Sequence, residues 1–268
     1  MGRITDQVVV ATHNIMGGRL LSPLLDYYRS LKHNPGLGVL CLQENQSSGN
    51  GHHAEEVANA LGPEYAIAHD LHELSVATIY NRDFFEVEHT ELIALPALTQ
   101  LSWVERLYMS AGERKHALVT TLRHEGGTMA VVNFHLEAGG GNTHRKGQME
   151  RIANWLETRG HTGSVTACGD SNSFALRGQL SALQFVLSPL RRFGARDEGK
   201  SPTHYFSRMR EPRFVKKILV ALGKLGIDYP RRLDVVCTNL PVLELGQMDT
   251  RESDHDLVWA RVALGSRD

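Results

Sequence analysis

Short apolar runs recur along almost the whole chain, and they constrain the fold more than any other feature. They fall at residues 8–12, 39–42, 76–80, 84–95, 117–122, 129–134, 165–168, 233–237 and 257–264. Each has the length of a β-strand and is too short for a membrane span. Helical spacing lies between some of them. Leu21, Leu24, Leu25, Tyr28 and Leu31 form one stripe, residues 54–61 a second, and Met149, Ile152, Ala153 and Leu156 a third within 147–158. Strands drawn from both ends, with helices between, predict a single α/β or α+β domain over residues 1–268.

A chain of 268 residues buries a substantial core without disulfides or structural metals. Its three cysteines, Cys41, Cys168 and Cys237, each sit inside an apolar run. That predicts small buried residues in a reducing compartment. The N-terminus lacks the apolar stretch of a secretory signal, so a cytoplasmic protein is expected. The net charge of −1 gives no whole-molecule field that would select nucleic acid or membrane. Charge is uneven, however. Residues 196–232 hold ten basic and four acidic residues. Within them Phe214, Val215, Ile218, Leu219, Leu222 and Leu225 follow a helical stripe, predicting a basic amphipathic insert near 205–230. Such a helix can pack on the body, follow a nucleic-acid backbone with Tyr205 and Phe206 near the bases, or rest on an anionic membrane surface.

The ends of the apolar runs carry the chemistry. Asn14 follows the first run, Glu44 the second and His135 the sixth. Asp170 and Asn172 follow the seventh, Asp234 enters the eighth, and Asp254 and His255 precede the last. One polar residue at a strand end is ordinary, but a full set of catalytic types is not. Glu44 and Asp254 offer hard oxygen ligands that suit Mg²⁺ (or Mn²⁺), and zinc-type spacing is absent. Asp170 can orient or deprotonate a water. Asn14, Asn172 and a protonated His255 can hold phosphate oxygens as charge builds. Asp234 beside His255 would fix its tautomer and raise its pKa. The four histidines His52, His53, His69 and His72 lie in polar, loop-like surroundings and read as solvated. The Gly139-Gly140-Gly141 loop lacks the Gly-Lys-Ser/Thr of a phosphate-binding loop, although Arg145 beyond it could reach a substrate phosphate.

In order, these residues stand as Asn14, Leu42-Gln43-Glu44, Asn133-Phe134-His135-Leu136, Gly169-Asp170-Ser171-Asn172, Arg232-Leu233-Asp234 and Ser253-Asp254-His255. The series resembles the endonuclease/exonuclease/phosphatase superfamily. The resemblance implies a deoxyribonuclease-like four-layer fold, two packed mixed β-sheets flanked by helices, with the site where the sheet ends meet. It implies Glu44 and Asp254 at the metal, Asp170 on the nucleophilic water, and Asp234 paired with His255. It also implies Asn14, Asn172 and His135 on the phosphate, with Arg114 as a further phosphate contact and Glu73 as the nearest candidate to orient His135. Ser171 departs from the usual bulkier residue, and on an extended strand it faces away from its neighbours, towards the packing. The stretch His135-Leu136-Glu137, with Arg145 and Gln148 downstream, looks closest to the tyrosyl-DNA phosphodiesterase-like and general nuclease branches. The expected function is metal-dependent hydrolysis of a phosphodiester in nucleic acid. The alternatives are a lipid or inositol phosphate substrate, or a binding module without activity.

Overall fold

The computed structural model describes residues 7–18, 21–33, 36–45, 53–68, 75–99, 115–161, 163–175, 177–208 and 230–265. In chain order the elements are β1 (Gln7–Asn14), α1 (Leu21–His33), β2 (Leu37–Gln43), α2 (His53–Leu61), β3 (Tyr65–Ile67), β4 (Val76–Asn81), β5 (Glu86–Ala94), β6 (His116–His124) and β7 (Gly127–His135). There follow α3 (Gly141–Thr158), β8 (Ser164–Asp170), α4 (Gln179–Leu187), β9 (Asp234–Thr238), β10 (Val242–Met248) and β11 (Leu257–Ala263). The strands form two sheets, one ordered β10-β11-β1-β2-β4-β3 and the other β5-β6-β7-β8-β9. Both are mixed, because β1 pairs with β2, and β7 with β8, in parallel.

Period-two alternation builds the layers. Along β1, Val8 and Val10 point between the sheets, where they meet Val39, Cys41, Met129, Val131, Cys168 and Val236. Val9 and Ala11 point the other way, onto Leu24, Tyr28 and Leu31 of α1 and Val57 of α2. On β7, Ala130, Val132 and Phe134 turn outwards to Met149, Ile152 and Leu156 of α3 and Val186 of α4. The result is the expected helix–sheet–sheet–helix sandwich with three apolar layers. Full burial of each Leu, Ile or Val contributes roughly 1.5–3 kcal/mol. The three cysteines are buried and unpaired.

A polar network crosses the inner layer. Gln43 donates its amide to Asn133 Oδ1 at 2.8 Å and accepts from Thr12 Oγ1 at 3.2 Å. Asn133 in turn donates to the carbonyls of Leu42 and Ala77. All three side chains are buried, so losing one partner would strand the others at a cost of about 1–3 kcal/mol. The network ties the two sheets together at the end where β1, β2 and β7 terminate.

The short β3, the edge strand β10 and α4 add to the elements read from sequence, and α3 begins at Gly141 rather than 147. The stripe predicted for the basic insert, at residues 214–225, lies outside the described residues. Among the described residues, no helix is long and apolar enough to cross a membrane.

Candidate active site

Strand register brings three of the predicted residues side by side. On β7 and β8, His135 stands opposite Asp170; on β8 and β9, Asp170 stands opposite Asp234. Gly169 makes this approach possible. A Cβ there would lie 1.9 Å from the Phe134 carbonyl oxygen, so any side chain would push β8 off β7. Asp170 is then fixed at both oxygens. Oδ1 accepts the Asn172 backbone N–H at 2.8 Å, and Oδ2 accepts the Asn14 amide at 3.2 Å. Ser171, between them, donates to the Leu233 carbonyl at 2.8 Å and is fully buried, so it serves packing as its face predicts.

The other sheet supplies Asn14 and Glu44. Asn14 Nδ2 donates to Glu44 Oε1 at 3.1 Å as well as to Asp170. Both of its amide hydrogens are therefore held by carboxylates, and Oδ1 accepts the Met16 N–H. Here Asn14 acts as a clamp joining Glu44 and Asp170 across the two sheets, rather than as an open phosphate donor. Glu44 has φ of 54° and Asn172 has φ of 46°, both in the left-handed region. For non-glycine residues that conformation is uncommon and of order 1–3 kcal/mol unfavourable, so the surrounding contacts must hold it. Ser253 Oγ donates to the Asn14 carbonyl and receives the His255 N–H, which docks the C-terminal loop on the end of β1. Behind it, buried His13 bridges the Tyr28 hydroxyl at 2.7 Å and Thr250 Oγ1 at 3.1 Å.

Two imidazoles face the same oxygen. His135 Nε2 lies 3.7 Å and His255 Nε2 3.8 Å from Asp170 Oδ2. These separations exceed a direct hydrogen bond, and a water bridging either pair would sit to the side of it. His255 Nδ1 meets Asp234 Oδ2 at 2.8 Å, and Thr203 Oγ1 donates to that same oxygen at 2.7 Å. Burial lowers the His255 pKa, but the Asp234 and Asp170 carboxylates outweigh it and hold the ring well above its ordinary range. His135 goes the other way. Burial, reinforced by the Lys115 charge, pushes it down to about 3 against the pull of Asp170. His135 Nδ1 is buried without a hydrogen-bond partner among the described residues. Glu73, the nearest candidate in the sequence to orient the ring, lies outside the described residues.

Two donor sets among the described residues could hold a divalent cation, and Glu44 falls in neither. Burial first, and then the Asp254 charge, raise the Glu44 pKa, with Asp170 adding to them and the Asn14 hydrogen bond opposing. Like-charged carboxylates gathered in a buried cleft favour a cation that would relieve the repulsion. Ligand atoms of His204, Asp254 and His255 lie within 4.8 Å of one another, as do those of Asp170, Asp234 and His255.

Asn14, Glu44, His135, Asp170, Asn172, Asp234, Asp254 and His255 thus converge at one end of the sandwich. Arg145 does not join them. It is buried, its Nε donates to the Glu137 carbonyl at 2.8 Å, and Nη1 reaches Asn142 Oδ1 at 3.0 Å. A third bond, from Nη2, reaches the Ala138 carbonyl. Arg145 therefore shapes the loop after β7, and that loop receives the Asn172 amide at the Leu136 carbonyl. Arg114 lies outside the described residues. Within the basic stretch, Arg232 is paired with buried Asp197, and Arg208 with Asp249 and Asp256, so these cations are already neutralised. The Tyr205 ring lies under the Arg208 guanidinium at 4.0 Å. Sequence reading missed Thr203 and His204. They lie in no apolar run, and their only local signal is the preceding Pro202.

No protein-family model matches the chain, and no curated protein is detectably similar to it. Solved structures are. An endonuclease/exonuclease/phosphatase from Bacteroides vulgatus superposes with a TM-score of 0.65 at 16% identity, over 97% of this chain and 99% of that one. An endonuclease/exonuclease/phosphatase from Beutenbergia cavernae gives 0.63 at 17%, over 97% and 72%. D. rerio TDP2, complexed with a single-strand DNA product, gives 0.63 at 12%, over 95% and 98%. Two mixed sheets flanked by helices, with the polar residues gathered where the strands end, thus give this chain the fold of the endonuclease/exonuclease/phosphatase proteins.

Proposed function

We propose that the chain is a divalent-metal-dependent phosphodiesterase acting on nucleic acid by direct attack of water. One observation carries this reading. A single carboxylate oxygen, Asp170 Oδ2, is clamped by Asn14 and faced at 3.7 Å and 3.8 Å by two imidazoles of opposite electrostatic character. Water bound beside Asp170 Oδ2 gives up a proton to Asp170 as its oxygen bonds to phosphorus and the ester bond on the far side breaks. The His255 imidazolium, held by Asp234, stabilises the charge building on the phosphoryl oxygens. Neutral His135 and the remaining Asn172 amide hydrogen orient the phosphate. Glu44 and Asp254 would hold a divalent cation, which when bound would supply Lewis-acid polarisation of a phosphoryl oxygen. The convergence of all these groups favours an enzyme over a binding module.

Two observations support nucleic acid as the substrate class. One is the likeness to TDP2, whose solved structure holds single-strand DNA product. The other is Phe174, close after Asn172, which is 40% exposed and carries the Arg231 guanidinium 4.7 Å from its ring centre. Aromatic faces backed by arginine suit stacking of unpaired bases. The test is a screen with Mg²⁺ or Mn²⁺ over single- and double-stranded DNA, RNA, 5′-phosphotyrosyl DNA, inositol phosphates and sphingomyelin. Cleavage of a nucleic-acid phosphodiester, stopped by EDTA and restored by metal, is expected. Turnover confined to the lipid or inositol substrates would replace the substrate class, and none at all would leave the binding-module reading.

A further inference from the structure

His204 has no part in the reaction as described, yet it sits at the cation end of the cluster. The backbone holds it there from two sides. His204 N donates to the Arg231 carbonyl at 2.9 Å, and Arg231 N donates back at 3.1 Å. Its neighbours are laced to the loop that carries Asp254: Tyr205 N meets the Asp254 carbonyl at 3.0 Å, and Asp256 N meets the Thr203 carbonyl at 2.7 Å. The ring is 5% exposed and packs edge-on against His255, with centroids 4.7 Å apart. Its Nε2 lies 3.7 Å from Asp254 Oδ2.

That placement suits shared ligation better than direct pairing. The Nε2–Oδ2 separation is too long for a hydrogen bond. It matches two ligands on one cation, since bond lengths of about 2.0–2.2 Å put neighbouring ligand atoms roughly 3–4 Å apart. His255 is the less suitable nitrogen donor, because Nδ1 is bound to Asp234 and Nε2 faces Asp170. We propose that His204 is a nitrogen ligand to the cation held at Asp254, and that it shifts this site towards Mn²⁺, Co²⁺ or Zn²⁺ and away from Mg²⁺. An all-oxygen shell holds Mg²⁺ well, whereas one imidazole favours the transition dications.

The inference rests on the metal site of the proposed function but is read without turnover. Pulsed EPR on the full chain loaded with Mn²⁺, with no substrate present, should show a ¹⁴N coupling. The coupling should vanish in His204→Phe and persist in His255→Gln. In competition titrations His204→Phe should lose at least about tenfold in Mn²⁺ affinity relative to Mg²⁺. Absence of nitrogen coupling in the unsubstituted protein would overturn the proposal whatever the variants do, and so would failure to bind Mn²⁺. A coupling that survives His204→Phe and disappears in His255→Gln would overturn it too, by assigning the ligand to His255. Nitrogen ligation without phosphodiester cleavage would sink the proposed reaction while leaving His204 at the metal.

Discussion

His135 and His255 occupy the same cleft, are both buried and stand almost equally far from Asp170 Oδ2, yet their pKa values move in opposite directions. Burial lowers both. The difference lies behind the ring. His255 has Asp234 on Nδ1, itself pinned by Thr203, while His135 has no Nδ1 partner among the described residues and the Lys115 charge nearby. A buried imidazole is therefore pushed towards the neutral form, and around His255 the carboxylates of Asp234, Asp170 and Asp254, Asp234 first, reverse that. The fold can put one charged and one neutral ring on a single water position because β9 brings Asp234 into register with Asp170, on the side of β8 away from His135.

The comparison breaks most completely if its shared partner is removed. Asp170→Asn keeps the size and the Asn172 contact but loses both the base and the acceptor for the Asn14 amide, so turnover should fall by about 10²–10⁴ or more and stability by about 1–3 kcal/mol. Steady-state rates and a thermal melt check both parts. Asp234→Asn should come next. It removes the first charge supporting His255, so the alkaline limb of the pH–rate profile should move to lower pH and the rate near neutrality should fall by roughly 10²-fold or more.

A third prediction concerns stability. His135 and His13 are both driven to about 3 when folded, His13 chiefly by burial, against an ordinary value near 6.5. Between these values the unfolded chain binds protons that the folded chain does not. Stability should therefore drop as pH falls from about 6.5 towards 3, by up to about 1.4 kcal/mol per pH unit for each ring. His255, raised on folding, works in the opposite sense, and its contribution is lost only as pH rises through its folded value. Denaturant unfolding at stepped pH should show a shallower slope in His135→Gln. The smallest effect is expected at Ser171→Ala, which loses a buried hydrogen bond to the Leu233 carbonyl. It should cost about 1 kcal/mol in stability and leave the rate within a few-fold.

These two histidines also mark how far the sequence alone can be read. The strands of the inner layers were legible because apolar alternation writes them directly, as in Val8 and Val10 against Val9 and Ala11. The strand-end polar residues were legible because they interrupt those runs. Edge strand β10 was not, since one-sided contact leaves it mixed in character, with Leu243 and Leu245 exposed. Helix α4 was hidden for the converse reason: it is apolar nearly all round, with Leu180 and Phe185 at the surface, so no stripe stands out. Arg145 misled because a cation beside a glycine loop reads as a phosphate contact, whereas three bonds commit it to the loop itself. His204 and Thr203 escaped notice because their roles come from long-range pairing with residues 231 and 254–256, which no local pattern records.

The division of charge between the two rings is the centre of this account, and ring-proton NMR of His135 and His255 across pH 4 to 9 reads it directly. Assignment by His135→Gln and His255→Gln would separate the two signals. His135 should stay neutral throughout the range, and His255 should remain protonated well past neutrality. Two rings titrating together near the ordinary histidine value of about 6.5 would contradict it.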